Sequence, residues 1–473
     1  MEEPHEVNIV LVYPPTRHKV PWLASLPCLG GYLKRKGYSV RVIDAPFLNL
    51  GVTETLKEIQ RLDPMVIGVS IPLTDLMHEG REFLKIVRRA FPNKILLCGG
   101  IHPTLVPEDV ALHCNAVIVG EGELITDEIL HRVREGKEFR TVPGLCYVGE
   151  NATLTFTDPA QPAPNLDDLG PPDWSLIPFR NWDKRTFLAV GNDFTLPMYA
   201  SRGCPFNCAF CANAKLTGRR MRFRTVELVV DEMEKIVKDY DVHSFFFEDE
   251  VFTLNPERVE RFCDELDRRG LHLRWACQTR ADCVSEESIA RIRRSGCEQI
   301  GFGLESADPE ILQIMRKELD LDEVREAVRI CKKHKLWVNL SSLIGVPGET
   351  VESVRRTLRF LEECDPDFPY CFCFVPYPGT DLFDTALAQG GFSYIRWSQT
   401  QTRSAHWDPP YQAPGLKNIP LPLILDVIAY RLLMRTPYRL VRLARAAGWL
   451  RTIYMLIRSY YSMLRLRRRG VRL

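Results

Sequence analysis

Three cysteines follow an apolar segment in the stretch PMYASRGCPFNCAFCANAK, residues 197–215. Residues 197–202 predict a β-strand, and the cysteines lie in the loop that follows it. Cys204, Cys208 and Cys211 are separated by three and then two residues. This spacing puts three sulfur ligands into one loop, so we expect the loop to carry the chemistry of the chain.

The donor set of this loop indicates a particular metal group. Three thiolates can hold three irons of a [4Fe–4S] cluster, and the missing fourth cysteine leaves one iron open to another molecule. A zinc site would need four ligands in a closed tetrahedron, and no nearby Cys or His completes one. The alternative is that the three cysteines pack as small apolar side chains. The spacing and the loop position favour the cluster.

Length and composition exclude several classes of protein. A chain of 473 residues is expected to form two or three domains. Hydrophobic residues at 45% and charged residues at 26% argue against disorder and against a polytopic membrane protein. The N-terminal sequence MEEPHEVNIVLVYPP has no signal-peptide pattern, so we expect a cytoplasmic protein. Its fifteen cysteines are then expected to be reduced rather than paired in disulfides.

The N-terminal part of the chain predicts a parallel α/β sheet. Apolar runs alternate there with helical patterns, and the runs lie at residues 8–12, 38–44, 65–70, 94–98 and 115–120. We assign residues 1–135 to this domain, and 136–190 to a connecting segment because it is rich in Pro and Asp. Gly99, Gly100, Gly120 and Gly122 follow the last two predicted strands. Open α/β sheets bind ligands at these carboxyl ends.

A second α/β pattern predicts a partial barrel over residues 191–390. Its six predicted strands lie at residues 197–202, 244–249, 273–278, 299–305, 338–345 and 371–376. In a parallel barrel the functional groups gather at the carboxyl ends of the strands. The polar residues at those ends are Arg202, Glu248, Asp249, Gln278, Arg280, Glu305, Glu349 and Tyr377.

The cysteine loop resembles the signature of the radical S-adenosylmethionine superfamily, in which an aromatic residue precedes the last cysteine, as Phe210 does here. The resemblance implies that S-adenosylmethionine chelates the open iron through its amino and carboxylate groups. An electron from the reduced cluster then cleaves it to a 5′-deoxyadenosyl radical, so the chemistry belongs to the cofactors. An electron donor such as flavodoxin or ferredoxin is implied as a partner.

The resemblance also implies residues that contact S-adenosylmethionine. These candidates are Glu248, Asp249, Gln278, Arg280, Glu305 and Ser306. The segments GFGLES (301–306), LIGVPGET (343–350) and FVPYPGT (374–380) follow the cysteine loop in the order found in the family. For Glu248 and Asp249 the alternative is a solvated turn. For Arg280 it is an internal ion pair, since a guanidinium suits either partner.

The N-terminal third is similar to the Rossmann-like cobalamin-binding domain that is fused to many radical enzymes. Glycines at strand ends would let the backbone approach a wide corrinoid ring closely. The implied cobalamin contacts are Gly99, Gly100, His102, Gly120, Glu121 and Gly122. The sequence has no Asp-x-His-x-x-Gly motif, so we expect His102 to line the pocket and cobalt to have no protein histidine. A degenerate domain without cofactor is the alternative.

Cys371, Cys373 and Tyr377 are weak catalytic candidates on or after the last predicted strand. The two cysteines alternate with Phe372 and should face the same way. A buried structural role is the favoured interpretation of both thiols, because cysteine is commonly fully buried.

The C-terminal region 391–473 is predicted to be helical and basic. Residues 421–473 hold twelve arginines and one acid, Asp426, a net charge of +11 that leaves −10 for residues 1–420. Arg451, Arg458, Arg465 and Arg472 recur every seven residues, and Arg431, Arg435, Arg439 and Arg442 every three or four. The interpretation we favour is a helix at an anionic membrane surface. A lid on the acidic body and, as the least favoured, a nucleic-acid contact are the alternatives.

Together these features predict a cobalamin-dependent radical S-adenosylmethionine enzyme that methylates an unactivated carbon of a small-molecule or lipid substrate. The alternative within the same fold is an oxidative, ring-forming cyclase that transfers no methyl group, as in the anaerobic cyclase of bacteriochlorophyll synthesis. From a different class, the chain could be a non-catalytic sensor of cobalamin or of an iron–sulfur cluster.

Overall fold

The computed structural model describes residues 7–16, 24–72, 76–181, 194–390, 392, 411–416, 420–434, 449–468 and 471. The chain divides into two compact units. Unit 1 is Met1–Asp183 with Ala212–Arg224, and unit 2 is Lys184–Cys211 with Thr225–Leu473.

Unit 1 is built on a seven-stranded sheet in the order β2-β1-β3-β4-β5-β6-β7, of which the first five strands are parallel. Its strands are β1 (Ile9–Tyr13), β2 (Val40–Asp44), β3 (Val66–Ser70), β4 (Ile95–Gly99), β5 (Ala116–Ile118), β6 (Leu145–Val148) and β7 (Leu154–Phe156), and the short β10 (Arg222–Phe223) lies outside this sheet. Its helices are Ser25–Arg35, Ala45–Leu48, Val52–Leu62, Met77–Ala90, Ile101–Leu105, Glu108–Ala111, Gly122–Arg134 and Asn213–Leu216, with 3-10 turns at Glu150–Ala152, Leu166–Leu169, Trp174–Leu176 and Phe179–Asn181.

The central strands of unit 1 are buried on both faces. Along β1, Ile9 and Leu11 belong to one apolar cluster, and Val10 and Val12 belong to the other. Burial on both faces is typical of a parallel sheet covered by helices, and it explains why these strands are continuous apolar runs in the sequence. The predicted α/β fold is confirmed for this unit.

The segment 136–190, which the sequence assigns to a connection, contributes two strands to the sheet. β6 pairs antiparallel with β5, and β7 pairs antiparallel with β6. These strands have four and three residues, and Leu154 and Phe156 on the edge strand are exposed. Strands of three or four residues are too short to show a clear periodicity, so they resemble loops in a sequence.

Unit 2 contains a six-stranded parallel sheet in the order β8-β11-β12-β13-β14-β15, which is the predicted partial barrel. The strands of this sheet are β8 (Leu196–Met198), β11 (Ser244–Phe247), β12 (Arg274–Thr279), β13 (Cys297–Glu305), β14 (Trp337–Ile344) and β15 (Phe368–Cys373). The short β9 (Ser201–Arg202) lies outside it. The helices of unit 2 are Val226–Tyr240, Pro256–Arg268, Glu286–Arg294, Pro309–Met315, Leu321–Lys333, Val351–Cys364, Asp381–Ala388, Leu421–Met434 and Trp449–Arg468, with 3-10 turns at Ala281–Cys283 and Pro414–Leu416.

One face of the barrel sheet packs against these helices through aromatic side chains. Phe247, Phe252, Phe262 and Trp275 lie within 4.6–5.8 Å of one another between ring centroids. Trp275 also donates its indole N–H to the carbonyl of Ser295 at 3.1 Å. This cluster fixes the outer layer and leaves the other face of the sheet for the site.

The C-terminal region is helical, as predicted, and its two described helices pack together beside β15. Asp426 accepts hydrogen bonds from Arg458 Nε at 3.2 Å and from Ser462 Oγ at 2.8 Å. Arg431 forms an ion pair with Glu362 at 2.7 Å. None of the described helices is long and apolar enough to cross a membrane. Arg435, Arg439, Arg442 and Arg472 lie outside the described residues.

Substitution of Gly100 should destabilise unit 1 much more than substitution of Gly136. Gly100 has φ +115° and ψ −174°, a region open essentially to glycine alone, and a Cβ there would lie 2.5 Å from the carbonyl oxygen of Ile71. We expect Gly100→Ala to lower the free energy of unfolding by about 3 kcal/mol or more. Gly136 also has a positive φ, but it has open space around it, so Gly136→Ala should cost about 1 kcal/mol. Urea unfolding followed by circular dichroism measures both values, and equal losses would contradict the backbone collision.

Candidate functional site

The cysteine loop of unit 2 is tied to its surroundings through the backbone of Ala209. The Ala209 N–H donates to the carbonyl of Met315 at 2.8 Å, and the Ala209 carbonyl accepts from the N–H of Leu382 at 3.1 Å. Within the loop, the N–H of Cys211 donates to the carbonyl of Cys208 at 3.2 Å. The middle of the loop is therefore held in place by protein contacts alone.

The three cysteines of the loop are thiols that face partly outward. Cys204 and Cys208 are half-buried, and Cys211 is exposed. Across the residues that the structure describes, no three His, Cys, Asp or Glu side chains are already gathered as a metal site. The loop thus supplies three sulfur donors. Three cysteine ligands in one loop fit an iron–sulfur cluster with one open iron.

Arg280 packs directly on this loop. Its guanidinium lies 3.8 Å from the ring centroid of Phe206, between Cys204 and Cys208 in the chain. Nη1 donates to the carbonyl of Lys317 at 3.1 Å, and Nε donates to Asp282 at 2.9 Å. Nη2 also donates to Asp282. The sequence left an internal ion pair open as the alternative for Arg280, and the structure contains that pair.

Lys317 is a functional candidate that the sequence reasoning missed. It is buried, and its Nζ lies 3.4 Å from Glu305 Oε1. Burial raises the pKa values of Cys204 and Cys208, whereas the charge of Lys317 lowers both. Arg280 also lowers the pKa of Cys208. The two cations therefore stabilise thiolates beside the loop. No motif in the sequence distinguishes Lys317 from a surface lysine.

Asp249 connects β11 to the start of the loop. Its Oδ2 accepts the Ala200 N–H at 3.0 Å, and its Oδ1 accepts the Ser201 hydroxyl. Glu248 accepts a hydrogen bond from the Tyr199 hydroxyl. Burial, with the neighbouring charge of Asp249, raises the pKa of Glu248 to about 7 against the effect of that hydrogen bond. Asp249 is thus a structural anchor, while Glu248 changes its charge near neutral pH.

The remaining candidates for S-adenosylmethionine contact lie along the same end of the sheet. Gln278 is exposed near the end of β12. Glu305 ends β13 with φ +63°, an uncommon conformation for a residue other than glycine. Ser306 is buried, and its hydroxyl lies 3.3 Å from that of Thr357. Glu305 therefore lies close to Lys317, whereas Gln278 lies on the open face of the sheet.

The open face of the barrel carries rows of residues that the strand register aligns. One row runs from Gln278 to Gly301, Asn339 and Phe368 on four adjacent strands. The next row joins Gly303 to Ser341 and Tyr370. Residues paired in a parallel register share a face of the sheet. Because Gly301 and Gly303 have no side chains, the centre of this face forms a depression.

An aromatic ladder borders these rows on β14 and β15. Phe368 and Tyr370 stack with ring planes 4° apart and centroids 5.9 Å apart, and Phe372 continues the stack at 6.2 Å. Trp337 meets Phe368 edge-on at 6.2 Å. The sequence analysis missed the ladder, although the alternation in FPYCFC, residues 368–373, contains its signal.

The weak catalytic candidates lie elsewhere. Cys371 and Cys373 alternate with Phe372 on β15, and Cys373 is buried. Burial raises the pKa of Cys371 to about 12, and the nearby Glu349 contributes. Glu349 is itself fully buried, accepts the N–H of Gly345 and has its pKa raised to about 8 by burial. Tyr377 is half-buried after the strand. A structural role for the thiols remains the favoured interpretation.

In unit 1, three of the four predicted glycines could carry a Cβ without a collision. A Cβ on Gly99 would meet nothing closer than 3.7 Å, one on Gly122 nothing closer than 3.9 Å, and one on Gly120 nothing within 4 Å. All three lie at the carboxyl ends of β4 and β5. Gly100 differs, because its position is required by the fold. The open edge fits a flat ligand that approaches the backbone closely.

The side chains of His102 and Glu121 already have polar partners within unit 1. His102 is fully buried, and its Nε2 lies 3.2 Å from Asp109 Oδ2. The same carboxylate forms an ion pair with Arg81 at 2.6 Å. Glu121 forms a two-pronged ion pair with Arg222. The structure thus places His102 inside the core and commits Glu121 to a salt bridge.

The chain thus contains an α/β unit with glycines at its strand ends and a partial barrel with a three-cysteine loop, and comparisons with known proteins identify both parts. Residues 198–361 match the radical SAM superfamily, and residues 19–130 match the B12-binding domain. An uncharacterized methyltransferase of Pyrococcus horikoshii is 32% identical over 405 residues, covering 84% of this chain and 86% of the relative. The chain belongs to the radical S-adenosylmethionine enzymes that carry a cobalamin-binding domain. Its cofactors are a [4Fe–4S] cluster, S-adenosylmethionine and cobalamin.

Two further comparisons show the range of this family. The anaerobic magnesium-protoporphyrin IX monomethyl ester cyclase of Rubrivivax gelatinosus is 29% identical over 371 residues, covering 76% of this chain and 65% of the cyclase. The radical S-adenosylmethionine methyltransferase TsrM of Kitasatospora setae, solved with cobalamin and a [4Fe–4S] cluster, has a TM-score of 0.70 and 20% identity. The alignment covers 87% of this chain and 85% of the TsrM chain, and it shows that the two share a fold.

The open glycine edge of unit 1 provides a test of cobalamin binding. We expect Gly99→Leu to reduce retained corrinoid at least about tenfold, because a side chain would fill the open space while the strand itself is undisturbed. The measurement is corrinoid absorbance per chain after anaerobic gel filtration. Gly136→Leu, which also enters open space but follows the far end of the helix Gly122–Arg134, should retain corrinoid. Equal retention by the Gly99 variant and the parent would exclude this edge.

Proposed function

We propose that this enzyme methylates an unactivated carbon of a small-molecule or lipid substrate, with Cys204, Cys208 and Cys211 as the ligands of its cluster. The observation that carries the proposal is the tethered three-cysteine loop beside the buried cations Lys317 and Arg280. When bound, the cluster and S-adenosylmethionine supply the chemistry that removes a hydrogen atom from a substrate carbon, and the corrinoid supplies the methyl group.

The protein's own residues would hold the loop and offset its charge. Three thiolates carry three negative charges into a partly buried loop, where unpaired charge is costly. Lys317 and Arg280 lie where they lower that cost, and the stacking of Arg280 on Phe206 keeps the loop in register. Glu248 would accept a hydrogen bond from the amino group of S-adenosylmethionine when ionised, and its pKa of about 7 makes that contact stronger above neutral pH.

The open face of the barrel would bind the substrate. The ladder formed by Trp337, Phe368, Tyr370 and Phe372 offers flat apolar surfaces that exclude water, and aromatic rings prefer such stacked or edge-on contacts. Gln278, Asn339 and Ser341 offer hydrogen-bonding groups on the same face. This combination supports a substrate with an extended apolar or aromatic surface and a few polar groups.

A ring-forming oxidation without methyl transfer is the second candidate, and the similarity to the magnesium-protoporphyrin cyclase favours it. Both reactions begin with removal of a hydrogen atom and use the same cluster loop. They differ in the product, because methylation adds a CH₂ unit and consumes a second S-adenosylmethionine.

Replacement of any one of the three loop cysteines by alanine should abolish the cluster. We expect iron content to fall from about four atoms per chain to a small fraction of that, because three ligands are the minimum for such a cluster. Release of 5′-deoxyadenosine should fall by at least about a hundredfold, since cluster and cofactor act as one unit. Iron analysis and chromatography of anaerobically reconstituted protein measure both. Cys364→Ala, at a half-buried thiol that ends a helix, is the control and should match the parent. Retained iron in all three loop variants would contradict the assignment.

Mass profiling of a deletion strain distinguishes the two candidate reactions. We expect the strain to lose a metabolite or lipid heavier by one CH₂ than a species that accumulates. Feeding methyl-deuterated methionine to the parent strain should label the lost species with an intact CD₃ group. A lost species that has two fewer hydrogens and carries no label would support the cyclase. If the parent protein also released no 5′-deoxyadenosine with a substrate extract, a sensor role would replace both.

A further inference from the structure

Several large apolar residues of the C-terminal helix Trp449–Arg468 face outward, although Leu466 of the same helix is buried. Its buried positions include Ser459 and Ser462, which are 6% and 5% exposed. Its outer positions carry large apolar and aromatic side chains. The exposed ones are Ile453 (48%), Tyr454 (65%), Ile457 (52%), Tyr460 (45%) and Tyr461 (61%). Burial of hydroxyls with exposure of such side chains opposes the hydrophobic effect.

The inner face of the helix is fixed by polar contacts. The carboxylate of Asp426 on the neighbouring helix accepts from Ser462 Oγ at 2.8 Å and from Arg458 Nε at 3.2 Å. A rotation that buried the tyrosines would leave this carboxylate buried without these partners, which is costly. The helix is therefore held with its apolar residues outward.

The outward residues form one continuous stripe. Ile453, Ile457, Tyr460 and Tyr461 follow the spacing i, i+4, i+7 and i+8, which lies on one side of a helix. Arg465, Arg467 and Arg468 are exposed at the end of the same helix. Tyrosine has an apolar ring and a polar tip, and arginine favours anionic groups, so both suit a boundary between water and an apolar phase.

The charge of the region decides between the possible occupants of this stripe. Residues 421–473 carry +11, so pairing of the stripe with the same stripe of a second copy would bring two strongly cationic regions together. A phospholipid surface with anionic headgroups offers an apolar layer for the tyrosines and isoleucines together with negative charge for the arginines. We propose that the Ile453–Arg468 face binds anionic membrane surfaces and that the helix lies in the plane of the interface.

The test is co-sedimentation of the full-length holoenzyme with vesicles. We expect partition onto phosphatidylcholine vesicles that contain about one third phosphatidylglycerol, little onto phosphatidylcholine alone, and weaker binding at high salt. The combined variant Tyr454→Ser, Ile457→Ser, Tyr461→Ser should bind anionic vesicles at least about tenfold more weakly, because it removes apolar surface that binding to the membrane would bury. The proposal does not depend on the reaction proposed above, and 5′-deoxyadenosine release by the variant checks that the enzyme is intact.

A matched control removes exposed apolar side chains elsewhere. Leu112→Ser with Phe156→Ser changes two residues that are 67% and 59% exposed in unit 1, and this variant should bind vesicles like the parent. Equal sedimentation of the helix variant and the parent would overturn the proposal. A dimer in solution that the helix variant abolishes would also overturn it, in favour of a second copy. Binding of RNA that competes fully with vesicles and is lost in the same variant would assign the stripe to nucleic acid instead.

Discussion

The buried guanidinium of Arg280 is the contact on which the site of unit 2 depends. It stacks on Phe206 inside the cysteine loop, pairs with Asp282 and donates to the carbonyls of Lys317 and Glu318. A planar group with several donors can make all these contacts at once, which a lysine could not. Because the carbonyl of Lys317 is one of its acceptors, Arg280 also orients the second cation near the thiols. Loop position and loop electrostatics are thus set by one side chain.

The same connection explains the order of the elements around the loop. Asp249 fixes the residues before the cysteines through the backbone of Ala200, while Met315 and Leu382 fix Ala209 from two helices that are distant in the chain. These contacts hold backbone groups of the loop, while Arg280 holds the ring of Phe206. The three cysteine side chains are the proposed ligands of the metal group.

The sequence predicted those features that arise from local periodicity. The parallel strands of both units were found. Those of unit 1 are covered on both faces and are continuous apolar runs, whereas burial alternates along barrel strands such as β14. The strands β6 and β7 were missed, since they are short and Leu154 and Phe156 on the edge are exposed. Arg280 was identified, but its partners were not, because the carbonyls of Lys317 and Glu318 come from a turn almost forty residues away. Lys317 itself has no motif that distinguishes it from a surface lysine, and only the fold buries it.

The formal charge of the chain overstates the negative charge at the open end of the barrel. Glu248 and Glu349 are both counted as ionised in the sequence, yet burial raises their pKa values to about 7 and about 8. Both carboxyl groups therefore keep a proton to higher pH than a free glutamate does. Removing this charge matters because Cys208 and Glu305 lie near Lys317, and Cys208 also lies near Arg280. Lys317 already pairs with Glu305 and Arg280 with Asp282, so a fully ionised barrel end would add negative charge that these two cations do not offset. Burial of acids at the strand ends therefore lowers the negative charge around the proposed cluster loop.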